Sequence, residues 1–223
     1  MDTNTPSAWI TASAGMAVES RSVEQIGKIV IKDYADVMIF LAEEPWMKVA
    51  TNLPDTLPDV LTTIRNNKLS IAITPQAKAL VTATVGHMAI TRSNQQASPE
   101  RVLIGIGLPQ APHIRIRGAG DVFMAGVDQE GMSLKIQGSG NIQIQGSVKW
   151  LEVVIEGAGN VDAKNVAASS VDLNISGSGN IDAHADYVAT AEISGTGNII
   201  VHGKPVKRNQ VAVSTGSIVF QED

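Results

Sequence analysis

Two histidines, His184 and His202, and the aspartate Asp182 are the residues best suited to chemistry in this chain. Two imidazoles and a carboxylate could hold zinc or another divalent ion. The same set could act as a general acid and base near neutral pH. Other residues count against both roles: Ile200 stands where a second carboxylate would complete the set, and Lys164 adds a positive charge nearby. An ordinary solvated polar face outweighs either role, so no catalytic residue, metal or cofactor is assigned. His184, His202 and Asp182 remain the one metal candidate.

The other chemical signatures are absent from the sequence. Asp162 and Asp182 could bridge calcium, but the Gly-Gly-x-Gly-x-Asp calcium repeat is missing. His87 and His113, beside Gly86 and Pro112, read as strand-end residues. Trp150 could stack on a sugar ring, although packing is its ordinary use. No serine sits in a Gly-x-Ser-x-Gly elbow, no phosphate loop occurs, and the chain has no cysteine.

These residues can meet only if the chain repeats, and it does. The tetrapeptides Gly118-Ala119-Gly120-Asp121, Gly138-Ser139-Gly140-Asn141, Gly157-Ala158-Gly159-Asn160, Gly177-Ser178-Gly179-Asn180 and Gly195-Thr196-Gly197-Asn198 recur with first-glycine spacings of 20, 19, 20 and 18. Thr215-Gly216-Ser217 is a decayed sixth copy. Apolar residues alternate on both sides of each motif, as in Leu134/Ile136 before and Ile142/Ile144 after. That is the period of a strand with one buried face.

Each repeat therefore reads as strand, tight corner, strand, with Val148, Val166, Val188 and Val206 as inward anchors of a third short side. One coil cannot bury its own apolar face, so the coils must stack, with their strands parallel. At the corner a glycine supplies either a positive φ or room where a Cβ would collide. The Asn or Asp that follows could stack into a side-chain ladder. Used as a ruler, the repeat aligns Phe123, Gln143, Asp162, Asp182 and Ile200 in one outward column. Ala125, Gln145, Lys164, His184 and His202 form a second.

The predicted fold is all-β: a right-handed single-stranded parallel β-helix (β-solenoid) of about six coils over residues 112–223. A mostly-β capping region with one short helix covers 20–111, behind an extension at 1–19. Candidate strands in the cap are Ile29 to Ile31, Asp36 to Leu41, Met47 to Ala50, Leu69 to Ile73 and Val81 to Ile90. Helical spacing of Leu57, Val60, Leu61 and Ile64 places the helix at Pro54 to Asn66, and 93–100 reads as a loop. Aromatics make up only 4% of the chain, so the core must be thin layers of Val, Ile, Leu and Ala.

Seventeen basic residues against 22 acidic ones give a net charge of −5, with no basic run longer than Lys204 to Arg208. Nucleic acid is not an expected partner, and no apolar run is long enough for a membrane span.

The Gly-Ser-Gly-Asn-Ile units resemble the bacterial GIN domain, the head domain ascribed to autotransporter adhesins and formerly a domain of unknown function. Ser20 to Val23 with Ile29 to Ile39, Asn66 to Ile71 and Arg101 to Pro109 are similar to that family's lead-in segments. The resemblance covers roughly residues 20 to 220. It implies an exported, non-catalytic adhesion module that presents a regular face to a glycan or surface protein. It also implies an extracytoplasmic setting, provided a signal peptide was removed, since Met1 to Gly15 does not read as one. The competing readings are a carbohydrate-active enzyme on a β-helix scaffold and a self-assembly element that forms homo-oligomers.

Overall fold

The computed structural model describes residues 6–74, 82–85, 88–91, 101–213 and 215–222. Sixteen strands form one continuous sheet, wound into a β-solenoid. The six corners from Gly118 to Gly216 delimit about five full turns. Three long strands, Val122–Ile136, Ile142–Ile155 and Val161–Ile175, pair in parallel, and each bends around the coil. The apolar residues that lead into the glycine motifs point inward: Ile114, Leu134, Val153, Leu173 and Ala191 are at most 1% exposed, and so are their partners two residues on.

The corners show why glycine is needed. An added Cβ on Gly138, Gly157, Gly177 or Gly195 would lie 1.7 to 1.9 Å from the carbonyl oxygen of the matching glycine one coil earlier. None of these residues has a positive φ, so the requirement is room and not handedness. The residue between the glycines donates its N–H to that carbonyl, as Ser139 does to Gly118 at 3.0 Å and Ala158 to Gly138 at 2.9 Å. Left-handed glycines sit instead around the other bends of the coil: Gly126 (φ 77), Gly146 (φ 143) and Gly203 (φ 89).

The stack begins before the first motif. Strands Lys28–Ile31 and Asp36–Leu41 pair in parallel with His113–Ile116 and Val122 to Met124. The bend between them brings the carbonyls of Asp33 and Ala35 against Gly118 and Gly120. No glycine stands at that bend. The Asp33 carboxylate instead turns back to accept the N–H of Ile73 at 2.8 Å, where strand Lys68–Ile73 ends. The next layer out is still parallel, with Val102–Leu108 on Asp36–Leu41 and Lys68–Ile73 on Lys28–Ile31; only past it does the pairing turn antiparallel, where Trp46–Thr51 joins Val102–Leu108 and Ala17–Arg21 joins Trp46–Thr51. Trp9, on the short helix Ser7–Ala12, packs over Gly105, and Trp46 packs over Gly107.

Three local expectations differ from the structure. Pro54–Asp59 is a 3-10 turn, and Val60–Arg65 is a strand of a hairpin with Lys68–Ile73. Pro58 lacks an N–H and blocks a longer α-helix, while Asn66 (φ 51) and Asn67 (φ 58) supply the two left-handed residues of a tight hairpin turn. The segment expected as one strand from Val81 to Ile90 holds two antiparallel strands, Thr82–Val85 and Met88–Thr91. On the third side Val148 and Val166 are buried, but Val188 is half-buried and Val206 is 85% exposed. Buried Pro205 takes the inward place next to Val206. The predicted loop at 93–100 lies outside the described residues.

Steric need and left-handed need call for different replacements. Gly159→Ala puts a Cβ 1.9 Å from the Gly140 oxygen and should cost about 1–3 kcal/mol or more, as overpacking does. Gly126 has nothing within 4 Å of its would-be Cβ. Asparagine tolerates its conformation, so Gly126→Asn should cost less than about 1 kcal/mol. Urea unfolding of the two variants checks the contrast, and equal losses would contradict it.

Candidate binding faces

The Asn/Asp positions stack along the corner. The Oδ1 of Asp121 accepts the backbone N–H and the Nδ2 of Asn141, each at 2.8 Å. Asn141 receives Asn160 in the same way, Asn160 receives Asn180, and Asn180 receives Asn198, with side-chain bonds of 2.8 to 3.0 Å. Asn141, Asn160 and Asn180 thus each accept from the next coil and donate to the previous one. Aspartate suits the first rung because a carboxylate can only accept. At that end Asp36 Oδ1 accepts the Asp121 N–H at 3.0 Å.

Beside the ladder runs an outward column in continuous register: Phe123, Gln143, Asp162, Asp182, Ile200 and Val219. Two shallow grooves follow it. One of about 380 Å³ includes Asp36, Asp121, Phe123 and Gln143, and one of about 510 Å³ includes Asp182, Ile200 and Val219. Asp162 and Asp182 are directly paired like charges, an unfavourable arrangement unless each has its own partner. Asp162 has Lys164 at 3.3 Å, and Asp182 has His202 at 2.7 Å.

His184 and His202 do face each other on adjacent coils. The rest of their column breaks, because a register shift after Gln143 pairs Gln145 with Asn165 and not with Lys164. His202 meets Asp182 through Nε2, whereas His184 meets Asp186 through its own Nε2 at 3.1 Å. The structure therefore makes two His–Asp pairs. Asp186 is not among the sequence candidates, because it lies past the strand end, where the alternation stops. Among the described residues no group of three or more His, Asp and Glu side chains is placed to hold a metal ion. His87 lies outside the described residues.

Trp150 occupies the other long flank and is 44% exposed. Its Cε2, Nε1 and Cζ2 atoms would lie 1.8, 2.1 and 2.2 Å from a Cβ on Gly131. A ring can meet that position with three neighbouring atoms only by lying face-down across the glycine. His113 lies alongside, with ring centroids 6.2 Å apart and planes 25° from parallel. The His113 Nδ1 accepts the Ser133 N–H at 3.0 Å, which fixes the ring. A groove of about 450 Å³ continues past Trp150 along Glu152, Ser170, Asp172 and Thr190.

Burial raises the Asp36 carboxyl above its ordinary range. The Asp121 N–H bond opposes this, the Asp121 charge adds to it, and Arg101 opposes it again. The folded chain thus holds this proton more tightly than the unfolded chain. Stability from this group is greatest below the ordinary aspartate range and is lost as pH rises through the raised folded value. Asp36→Asn should therefore raise the melting temperature at neutral pH, with the gain shrinking in acid. A pH-independent gain in thermal melts would contradict this. Zinc titration should leave the melting curves of the wild type and a His184→Ala/His202→Ala variant equally unmoved; a rise confined to the wild type would reveal a metal site.

Residues 27–205 match the family model described as "Putative auto-transporter adhesin, head GIN domain". A crystal structure of "a putative adhesin" from Bacteroides fragilis NCTC 9343 superposes with a TM-score of 0.68 at 18% identity, covering 93% of this chain and 98% of that one. A "Putative lipid binding protein" from Parabacteroides distasonis ATCC 8503 superposes with a TM-score of 0.50 at 16% identity, over 93% and 97% of the two chains. At these identities the likeness shows the fold. No curated protein matches the sequence.

Proposed function

Because the chain belongs to the head GIN-domain family, we propose that it is a non-catalytic adhesion module working in an extracytoplasmic setting, where its flat flanks bind a glycan or a surface protein. The observation that carries this reading is the unbroken outward register from Phe123 to Val219 beside the Asp121 to Asn198 ladder. A surface that repeats at one strand spacing, about 4.8 Å, can meet a repetitive ligand at several evenly spaced points. Each contact is weak, and their number supplies the affinity.

The aspartates of the ladder flank and Glu156 are used within the sheet. Asp162, Asp182 and Asp186 each have a basic partner, and Lys135 and Gln137 hold the Glu156 carboxyl below its ordinary range. The Asp182–His202 and Glu156–Lys135 pairs join neighbouring coils. An acid and base tuned for glycoside cleavage would instead flank a cleft across the scissile bond.

Glycan and surface-protein arrays probed with the whole chain test the reading, with product analysis on every hit. Retention of a defined ligand without turnover is the expected result. Release of shortened sugars would overturn it in favour of the enzyme, and silence on both arrays would remove the binding role.

A further inference from the structure

The chain is acidic overall, yet one end of the Trp150 flank collects cations from segments far apart in sequence. Lys28 is paired directly with Lys68 on one side and with His113 on the other. Arg115 is paired directly with Lys135. Like charges one strand spacing apart repel. Arg117 follows two residues beyond Arg115 on the same side. Two carboxylates accompany the cluster: Glu156, which bonds Lys135 and Gln137, and Glu152, which takes the Ser133 hydroxyl at 2.7 Å. The Nε of Arg115 is buried and has no hydrogen-bond partner among the described residues.

The cluster adjoins the aromatic pavement. Along the stack axis the order is Lys68, Lys28, His113 and then the Trp150 indole lying over Gly131. Lys135 and Arg115 form the next outward column, two residues along their strands. A flat ring bordered by cations matches a pyranose that carries acid groups: its C–H face stacks on the indole, and its anions accept charged hydrogen bonds. A bilayer is a poorer match, since the indole lies against the backbone and does not project.

We propose that this flank binds an acidic polysaccharide, with one sugar ring stacked on Trp150 and carboxylate or sulfate groups held by Lys28 and Arg115, beside the Glu156-paired Lys135. The site deepens the adhesion reading and rests on it. Burial, followed by the charges of Arg115, Lys68, Lys135 and Arg117, lowers the Lys28 pKa, as expected of a cation that a bound anion would relieve.

Calorimetric titration of the whole chain with hexagalacturonate, with cellohexaose as the neutral probe, tests the assignment. Binding should be confined to the uronate and should weaken with salt. Lys28→Ala or Arg115→Ala should each weaken it roughly tenfold. Trp150→Ala should weaken it about fivefold without altering the salt dependence, and Trp150→Phe should recover part of the loss. Thermal melts identify any variant that is merely unfolded, and the Lys28→Ala and Trp150→Phe pair, which leave an aromatic on Gly131, keep the test open in that event. Equal binding of cellohexaose, indifference to Trp150, or tighter binding to phosphatidylglycerol vesicles than to the uronate would overturn the proposal. If the uronate fails while another array ligand is retained, this site is wrong and the adhesion role stands; if the arrays are also silent, the role itself fails.

Discussion

At the Gly-x-Gly corner the backbone of one coil approaches the next so closely that everything else in the solenoid follows from that contact. With a carbonyl oxygen about 2 Å or less from where a Cβ would sit, the corner admits no side chain at either glycine. The same approach lets the N–H between the glycines reach the carbonyl below it. It also brings the following amide into bonding distance of its neighbour, so the ladder and the strand register are set together. Outward residues on the strands that flank the corner then have fixed neighbours on the adjoining coils.

Register turns a linear repeat into rows, and rows are what a ligand would meet. On the ladder flank the row is mixed: an aromatic, an amide, two partnered aspartates and two aliphatic residues. On the opposite flank two rows have polarity, with cations toward the N-terminal coils and Glu152, Asp172 and Glu192 toward the C-terminal ones. The exposed indole lies where these halves meet. Its position depends on Gly131, a glycine outside the corner motif whose missing side chain is filled by the ring.

The two ends of the solenoid solve different problems. At the N-terminal end the parallel stack passes into antiparallel strands, and Trp9 and Trp46 lie against Gly105 and Gly107 of the strand they cover. The Asp33 carboxylate takes the Ile73 N–H where the strand Lys68–Ile73 ends. At the other end Lys207–Ala212 and Ser217–Gln221 are each paired on one side among the described residues. Glu222 joins Lys204 and Arg208 there, placing charge beside an edge that would otherwise invite strand addition.

Residue order alone is enough to read the solenoid, its corners, the inward residues beside them and the facing of His184 and His202, because each follows from a local period that stacking only multiplies; on the third side it misplaces Val188 and Val206. It leaves open whether the corner glycines are needed for φ or for space, and distances between coils answer that. It does not reveal the coil at Lys28 to Leu41, where Asp33 and Ala35 stand in place of glycine, or the hairpin at Asn66-Asn67, where helical spacing coincides with a strand. Above all it cannot show the cation cluster or the ring over Gly131. Lys28, Lys68, Arg115 and Lys135 carry no common motif, and parallel pairing joins strands many residues apart. The winding of the coils makes them neighbours, and no local pattern records it.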